Sequence, residues 1–568
     1  MNSPGSKSLS TVQWLIIIIA VIGFAFDTYE LLMLPVIAGP ALSEILQVPA
    51  NNPLVTEWVG NMLWMTALCG GIFGLLGGWL TDRLGRKTVL AGSIMLYSFS
   101  PVFASFSTTL GWFLFFRCTT FIGVCVEFVA AITWLAEMFP DKRQKEIVLG
   151  STQAFASVGG LLVTTANILT VKYASILPAL PLPEPFNGQA SWRYTLMTGL
   201  LPAIPIALML PFVPESQTWL ERRRAGTLRR PSIGELFSPE LRRVTIVTAI
   251  LSACAYGAAF GALQLTPTRM APGLTILAEH TKALKPLRDE ALGLNKQLNE
   301  ISPRFRQAVA EMPGLLEVSS QRAKARIALR ATRKQLENPD ASEPEKAELK
   351  TKLGNITNNL AKLDVKLDEV TRERPENKKV VLDREKILGQ LGGNREKQEP
   401  HDVAVKAKGN EVQFYQETGG LIGRIALAAL VVMAIPRRTL LRLFQVPGLV
   451  LFPLTYLFLF RNSPENFKWG MACCGFLTVA QFSYFGEYLP KAFPLHLRGT
   501  GGSFATNVGG RMIGTSAAYL TANIVAPRMS GNTFEQVATA AAMVGLGVVV
   551  IGLVASFWLP EPKADAGE

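Results

Sequence analysis

Charged residues are scarce in this sequence: Asp, Glu, Lys and Arg make up 17% of it, against 49% for the apolar residues. A mean hydropathy of +0.27 is too high for a chain of this length that folds in water. There are only three histidines, and none lies in an apolar run where a proton relay would need it. The six cysteines all fall inside apolar runs, which argues against a disulfide framework or a metal cluster. We also find no phosphate-binding loop and no hydrolase triad motif, and we expect no metal, no cofactor and no enzymatic activity.

The apolar residues come in runs long enough to cross a membrane. A span needs about 20 such residues and must satisfy its backbone hydrogen bonds internally, so each run is expected to be a helix. The predicted spans are Trp14–Leu34, Trp58–Leu80, Val89–Phe106, Trp112–Met138, Ile147–Thr170, Tyr194–Val213, Val244–Leu265, Gly419–Ile435, Val446–Phe460, Trp469–Leu489, Gly499–Ile524 and Val537–Trp558. The predicted fold is an all-α membrane protein with twelve transmembrane helices in two halves of six, as in carriers built from repeats.

The distribution of cations predicts the topology. The formal charge of +13 does not point to nucleic acid, because membrane proteins collect Lys and Arg in their cytoplasmic loops. Most of these cations follow the even-numbered spans, which predicts a bacterial inner-membrane protein with both termini in the cytoplasm. The predicted segments are a six-helix bundle (1–220), a cytoplasmic linker (221–243), the seventh span (244–265), a soluble insertion (266–416) and spans eight to twelve (417–568).

The insertion is rich in charge and has no run long enough to span. Two sets of its apolar residues recur at alternating spacings of three and four, which places each set on one helix face. The sets are Leu284, Leu287, Ala291, Leu294, Leu298, Ile301 and Phe305, and then Leu349, Leu353, Ile356, Leu360, Leu363, Leu367 and Val370. A turn signal at 338–344 separates them, which predicts an antiparallel coiled-coil hairpin outside the cytoplasm. Pro303 and Pro313 are expected to kink or interrupt its first helix. The alternative is a charged, partly disordered loop, and a protein partner or self-association would use residues 280–372.

The loop after the second span reads Gly78-Trp-Leu-Thr-Asp82-Arg83-Leu-Gly85-Arg86-Lys87. It resembles the G-x-x-x-D-R-x-G-R-[RK] signature of the major facilitator superfamily. Its glycines permit close helix approach and a tight turn. Asp82, at a helix end among cations, can form an ion pair that exists in only one of two conformations, as a gate requires. The alternative is a plain basic cytoplasmic loop.

Further stretches resemble the sugar-porter and metabolite–proton symporter branches of that family. Pro214-Glu215-Ser216 with Trp219-Leu220 is similar to their P-E-S-x-x-W-L, and Trp192-Arg193 is similar to their W-R. The stretches Glu137 to Arg143 and Glu487 to Arg498 resemble their E-x-x-P-x-x-x-R patterns. In that family such residues form cytoplasmic ion-pair networks that hold the outward-open state. The resemblance implies a cytoplasmic gate of Gly78, Asp82, Arg83, Gly85, Arg86, Lys87, Glu137, Arg143, Glu215, Glu487 and Arg498. The alternative is that these residues only orient the helices.

The second half departs from the signature. After span eight the sequence Pro436-Arg437-Arg438 keeps the basic pair but lacks the expected Asp and Gly. We therefore expect the gate of the second half to be weaker or differently built.

Charged residues inside the spans point to a transport pathway, since a charge at mid-bilayer costs about 2.5–3.5 kcal/mol on insertion scales. Asp27 and Glu30 resemble the D-x-x-D of organic-acid–proton symporters. In proton-coupled sugar porters an Asp of helix one pairs with an Arg of helix four, and the matching residues are Asp27 and Arg117. Protonation of Asp27 would release Arg117, which is a physical route to coupling. Glu127, about three turns deeper than Arg117, is a second protonation candidate.

Arg424 and Arg511 also lie within apolar runs, in spans eight and eleven. An arginine in a dry cavity suits bidentate binding of a carboxylate or phosphate, so both are predicted to bind substrate, together with Tyr29 and Gln264. The alternative is that they are structural partners of Glu127, Glu417 or Glu30.

These observations predict a secondary active transporter for a small organic acid or sugar-like metabolite, coupled to protons. The expected partners are the bilayer, a small-molecule substrate and protons, and no nucleic acid. The alternative is a transporter-like receptor or scaffold whose insertion binds a partner.

Overall fold

A computed structural model of the chain describes residues 9–48, 52–139, 142–183, 186–225, 232–312, 314–337, 342–433, 435–494 and 497–561. These residues form helices and connecting turns, and no strand occurs among them. Nine helices in these ranges are long and apolar enough to cross a membrane. They are Thr11–Ile45, Leu54–Gly77, Arg86–Ser105, Leu110–Leu135, Phe155–Tyr173, Ser191–Phe212, Arg242–Arg269, Arg437–Asn462 and Thr533–Trp558. The chain is therefore an all-α protein of the multi-pass membrane class.

The other three predicted spans are also largely helical where the structure describes them. The span at Gly419–Ile435 falls mostly on the end of a long helix, and Trp469–Leu489 lies within another. The span at Gly499–Ile524 is a chain of short α- and π-helical pieces. The count of twelve spans stays a prediction.

The α-helices of the first half are α1 (Thr11–Ile45), α2 (Pro53–Leu84), α3 (Arg86–Ser105), α4 (Leu110–Met138), α5 (Lys142–Tyr173), α6 (Ser191–Met197), α7 (Ala203–Met209) and α8 (Gln217–Arg224). Next come α9 (Arg242–Gly261), α10 (Thr266–Arg269), α11 (Ala278–Glu311), α12 (Leu315–Leu336), α13 (Glu343–Val370) and α14 (Pro375–Val432). The remainder holds α15 (Arg437–Gln445), α16 (Gly448–Pro453), α17 (Phe460–Asn462), α18 (Phe467–Ala492), α19 (Arg498–Ser503), α20 (Ala517–Tyr519) and α21 (Thr533–Ala555). Three π-helices complete it: Leu454–Leu459, Phe504–Gly514 and Leu520–Val525.

Local sequence accounts for several helix ends. Ser10 and Gln13 form a capping box at the start of α1, and Asn52 caps α2 just before its first-turn proline. Gly85 has a φ of 102°, a backbone conformation that side chains rarely adopt, so it ends α2 and lets α3 begin directly after it. Large apolar residues such as Trp112 and Phe212 stay 60% and 71% exposed, as expected of surfaces that face lipid.

Residues 282–402 form a compact unit of their own, and the rest of the chain forms the other unit. The predicted hairpin of two helices is wrong, because this unit contains four helical segments, from α11, α12, α13 and the first part of α14. Both predicted heptad faces are buried or half-buried. The break between α11 and α12 falls between Glu311 and Leu315, where an interruption at Pro313 was predicted, although Pro313 itself lies outside the described residues. Gly314, with a φ of 89°, precedes α12. Pro303 lies inside α11 and does not end it, since a proline removes a single helix hydrogen bond.

A buried arginine ties three helices of this unit together. Arg322 of α12 is 1% exposed and donates to both carboxyl oxygens of Glu385 at 2.7 and 2.9 Å, and it also contacts Asp364 of α13. Burial alone would lower the pKa of Arg322, but the hydrogen bonds and charges of these two acids raise it above its usual value. Such a pair fixes the register of the helices, because breaking it would leave a buried charge without a partner.

Candidate functional site

An ion pair between the two halves lies in the wall of a central cavity. Asp27 on α1 is 6% exposed, and its carboxyl oxygens accept hydrogen bonds from Arg511 Nη2 at 2.8 and 3.2 Å. Arg511 also donates to the carbonyl of Val124 at 3.2 Å and to Asn507 Oδ1 at 3.3 Å. Its guanidinium group lies 4.9 Å from the centre of the Phe128 ring. The arginine predicted to bind substrate is therefore held by four groups, one of them the predicted proton carrier.

The local backbone explains how Arg511 reaches this position. It lies in the π-helix Phe504–Gly514, a geometry that is common at functional sites. Gly509 and Gly510 precede it and let this segment approach α9 closely. A Cβ at Gly509 would lie 2.5 Å from the carbonyl of Ala249, and one at Gly510 would lie 2.6 Å from Ser252 Oγ. Larger residues at these positions would push the arginine away from Asp27.

The predicted pair of Asp27 with Arg117 is wrong. Arg117 instead lies 3.6 Å from Glu30 Oε2 and donates to the carbonyl of Glu30 at 3.1 Å. Both residues are buried. Glu30 follows Asp27 by three residues, about 4.5 Å along the helix axis, so each acid meets a different arginine at its own depth. Helix α1 thus takes part in two buried acid–arginine pairs where the sequence predicted one.

Glu127 lies fully buried on α4, next to α1. A Cβ at Gly23 of α1 would lie 2.6 Å from Glu127 Oε1, so the close approach depends on that glycine. Within the part of the chain that the structure describes, neither carboxyl oxygen of Glu127 has a hydrogen-bond partner. An ionised carboxyl group without a partner is costly in such a place, which keeps Glu127 among the candidates for carrying a proton.

A second polar cluster comes from α14 and the end of span seven. Glu417 Oε1 accepts from Gln264 Nε2 at 3.2 Å and from Gln416 Nε2 at 3.0 Å. Arg424, two turns further along α14, is buried and lies 3.4 Å from Ser483 Oγ. Gln264, Gln416, Glu417 and Arg424 all line the central cavity together with Asp27 and Arg511. Gln416 was not predicted from the sequence, and Glu417 was predicted only as an alternative partner for an arginine.

Apolar and aromatic side chains form the rest of the cavity wall, among them Phe24, Phe128, Tyr256 and Phe482. The predicted substrate-binding role of Tyr29 is not supported, because Tyr29 is not among the described residues that line the cavity. Its hydroxyl contacts Thr198 Oγ1 of span six instead. Tyr29 is two residues from Asp27, about 200° around the helix, so the two side chains face opposite ways.

Some of the residues that were predicted to form a gate in the first half cluster at the start of α3. Glu215 accepts from the backbone N–H groups of Arg86 and Lys87 at 3.0 and 3.1 Å, as an acid favours a helix N-terminus. The Arg86 side chain binds both oxygens of Glu137 at 2.9 and 3.1 Å. A Cβ at Gly85 would lie 2.4 Å from Glu215 Oε2, so the glycine of the signature makes room for this carboxylate.

Not all predicted gate residues can be located. Arg83 is exposed. The side chains of Gly78, Asp82, Arg143 and Arg498 lie outside the described part of the structure. The roles predicted for them stay predictions.

The second half contains a similar ion-pair cluster, although its loop lacks the Asp and Gly of the signature. The expectation of a weaker or differently built gate stays a prediction. Arg437 Nη2 lies 2.8 Å from Glu487 Oε1, as Arg86 pairs with its own acid in the first half. Glu561 accepts from the backbone N–H groups of Arg437 and Arg438 at 3.1 and 3.0 Å. Glu561 was not predicted from the sequence, although Pro560-Glu561 after the last span repeats Pro214-Glu215 after the sixth. A comparison of the two halves would have found it.

Comparison with known proteins agrees with this geometry. The sequence profile of the Major Facilitator Superfamily matches residues 14–281. A crystal structure of a D-xylose–proton symporter aligns with 98% of this chain and 100% of its own, with a TM-score of 0.55 and 14% sequence identity. The first half of the chain is thus similar to the major facilitator superfamily, and the fold is that of the D-xylose–proton symporter. That family and its fold are those of transporters and not of enzymes.

Curated relatives are similar to this chain over part of their length. The chain is 26% identical over 223 residues to the niacin transporter NiaP of Acinetobacter baylyi, covering 39% of this chain and 44% of that one. It is 30% identical over 224 residues to the benzoate transport protein of the same species, covering 38% and 43%. It is 27% identical over 188 residues to the arabinose–proton symporter of Escherichia coli, covering 33% and 35%. The matches thus span less than half of each of these relatives.

Proposed function

We propose that this protein is a secondary active transporter that moves a small organic acid or sugar-like metabolite by alternating access, coupled to protons. The observation that carries the proposal is the buried pair of Asp27 and Arg511 in the cavity wall. Asp27 belongs to the first half of the chain and Arg511 to the second. Alternating access moves one half against the other around a central site, so a bond between the halves at that site must change during the cycle.

Charge accounts for the coupling. Parting an intact buried ion pair leaves both charges without partners, at a cost of about 3–5 kcal/mol. Protonation of Asp27 removes its charge and most of its attraction for Arg511. A carboxylate on the substrate can then take the place of Asp27, because an arginine binds carboxylates through two parallel hydrogen bonds. Movement of the halves thus depends on a proton, an anion, or both.

Two arginines in the cavity favour an organic acid over a neutral sugar. Arg424 and Arg511 both line it, while Glu417 is already engaged by two glutamine amides. Aromatic rings beside them, such as Phe128 and Phe482, offer apolar surface to the body of a ligand. The similarity to transporters of niacin and benzoate agrees with this preference.

The remaining buried acids have proposed supporting roles. Glu30 with Arg117 is a second candidate pair for protonation, and Glu127 is a candidate for holding a proton beside α1. The two ion-pair clusters around Arg86 and Arg437 are proposed to lie at the cytoplasmic ends of the halves. We further propose twelve spans, an inner-membrane location, cytoplasmic termini and an extracytoplasmic insertion, on the distribution of cations.

Uptake by proteoliposomes under an imposed proton gradient tests the coupling. A thermal-shift screen of organic acids first identifies a ligand, since a ligand that binds the folded state raises its stability. With that ligand, Asp27→Asn should abolish proton-driven uptake while retaining exchange of labelled for unlabelled substrate. Glu57→Gln, which changes an exposed acid of α2, serves as the matched control. Proton-driven uptake at the wild-type rate in Asp27→Asn would refute the role of Asp27.

A receptor or scaffold is the second candidate, because the insertion is a compact unit with its own buried core. In that case the membrane part would bind solute without transporting it. Removal of residues 282–402, closed with a short Gly/Ser linker, separates the two functions. Flux in the shortened protein supports the transporter, whereas solute binding without flux in the intact protein supports the receptor.

A further inference from the structure

An apolar groove runs along the outer surface of the membrane part, between α9 and α21. All of the side chains that line it are apolar. They include Val247 and Ile250 of α9 and Val550, Ile551, Val554 and Trp558 from the end of span twelve. Several of them are well exposed, for example Ile551 at 55% and Trp558 at 56%. The groove is distinct from the central cavity, with which it shares no lining residue.

One end of the groove is basic. Arg242 and Arg243 form the first turn of α9, and both are exposed. Arg243, Val247 and Ile250 are spaced by four and three residues, which places the cation and the groove on one stripe of the helix. The Arg243 Nε donates to the carbonyl of Trp558 at 3.0 Å, so the guanidinium group borders the groove directly.

The backbone adds to the positive potential at this end. No described side chain caps the N-terminus of α9. The N–H of Arg242 already donates to the carbonyl of Ser238 at 2.8 Å, but the helix dipole favours an anion at this end, where two arginines stand. Trp558 lies at the same level, and tryptophan is enriched where a membrane meets water. The groove therefore joins a hydrocarbon-binding surface to an anion-binding end at the membrane boundary.

We propose that this groove binds one anionic phospholipid, with an acyl chain between α9 and α21 and the phosphate at Arg242 and Arg243. Both helices belong to predicted membrane spans, so the ligand reaches the groove from the bilayer. Residues 550–558 rise by about 12 Å along the helix, which gives a chain several contacts in succession. A free phosphate would use only the basic end, and a neutral lipid would use only the apolar part.

Native mass spectrometry of the full chain in detergent, titrated with phosphatidylglycerol, tests the proposal. The double variant Arg242→Ala/Arg243→Ala should bind the first phosphatidylglycerol about 30-fold more weakly, since each cation near an anionic surface contributes about fivefold. Phosphatidylcholine binding should change little. Arg461→Ala is the matched control, because Arg461 is exposed and lies near the other end of α21, where it donates to Thr539. Affinity unchanged in the double variant, or reduced equally in the control, would overturn the proposal.

A second arm tests the apolar part. Ile551→Trp fills the groove while leaving both arginines in place, and it should also weaken phosphatidylglycerol binding. Glycerol phosphate that competes as well as phosphatidylglycerol would mean that only the basic end binds, which overturns the lipid site. A dimer of the chain that forms in place of the lipid adduct, and that Ile551→Trp abolishes, would assign the groove to a second copy instead.

Discussion

The pairing of Asp27 with Arg511 can be tested by double-mutant cycles. Arg511→Gln leaves Asp27 buried without its cation, and such a loss costs about 3–5 kcal/mol of unfolding free energy. Asp27→Asn should cost less, because Arg511 keeps the carbonyl of Val124 and the Asn507 side chain as acceptors. In the double variant no buried charge is stranded. The two single effects should therefore fail to add, with a coupling of about 1–3 kcal/mol.

The control cycle combines Asp27→Asn with Arg117→Gln. Arg117 contacts Glu30 and not Asp27, so these two effects should add within about 0.5 kcal/mol. Each variant is unfolded reversibly by denaturant in mixed micelles. The unfolding free energies are compared with one value for the slope of free energy against denaturant concentration. A larger coupling to Arg117 than to Arg511 would refute the pairing described here and restore the one that the family resemblance implies.

Three further predictions concern stability. Gly85→Ala should destabilise the protein by about 1–3 kcal/mol, because Gly85 has a φ of 102° and no room for a Cβ. The control Gly92→Ala should be neutral or slightly stabilising, because nothing lies within 4 Å of a Cβ at that position. Thermal unfolding of the two variants measures the difference. Arg322→Met should cost about 3–5 kcal/mol, and adding Glu385→Leu should recover part of that loss in denaturant unfolding. Burial would raise the pKa of Glu411, but Lys408 and Lys468 lower it, so its stabilising contribution is present at neutral pH. The stability difference between wild type and Glu411→Gln should shrink as the pH falls below 4.5, the ordinary Glu value, and a difference that grows there would contradict the ion pairs.

The depth of each charged residue along its own span was predictable from the sequence. The residue of the second half that pairs with Asp27 was not. The spacing of Asp27, Glu30 and Tyr29 determines their relative height and direction on α1. It contains no information on how the second half packs against the first, which places Arg511 beside Asp27. Arg117 belongs to the first half, where it pairs with Glu30. The family resemblance predicted Arg117 as the partner of Asp27 because the pairing was transferred from relatives. The depths of the two residues along their own helices were not compared. By contrast, apolar runs predicted the helices well, since every span must bury its own backbone hydrogen bonds.

The insertion illustrates the same limit. Heptad spacing correctly marked which residues of α11 and α13 face other helices, because that pattern is local. The number of helices depended on breaks that the pattern does not encode. One such break precedes α12, at Gly314, which has a positive φ. The heptad sets also did not predict that α12 and the start of α14 form further helices of this unit. The buried Arg322 that joins three of them lies outside both predicted heptad sets.

The location of the ion pairs bears on what must move during transport. In the first half Arg86 contacts both Glu137 and Glu215, and in the second half Arg437 contacts both Glu487 and Glu561. Each cluster joins helices of a single half, so it can stay intact while the halves move as rigid bodies. The Asp27–Arg511 pair joins the two halves and cannot stay unchanged if they separate at the cavity. Under the proposed mechanism of transport, the clusters would keep each half rigid and the central pair would act as the switch. Protonation of Asp27 is then expected to have the largest effect on the conformational equilibrium.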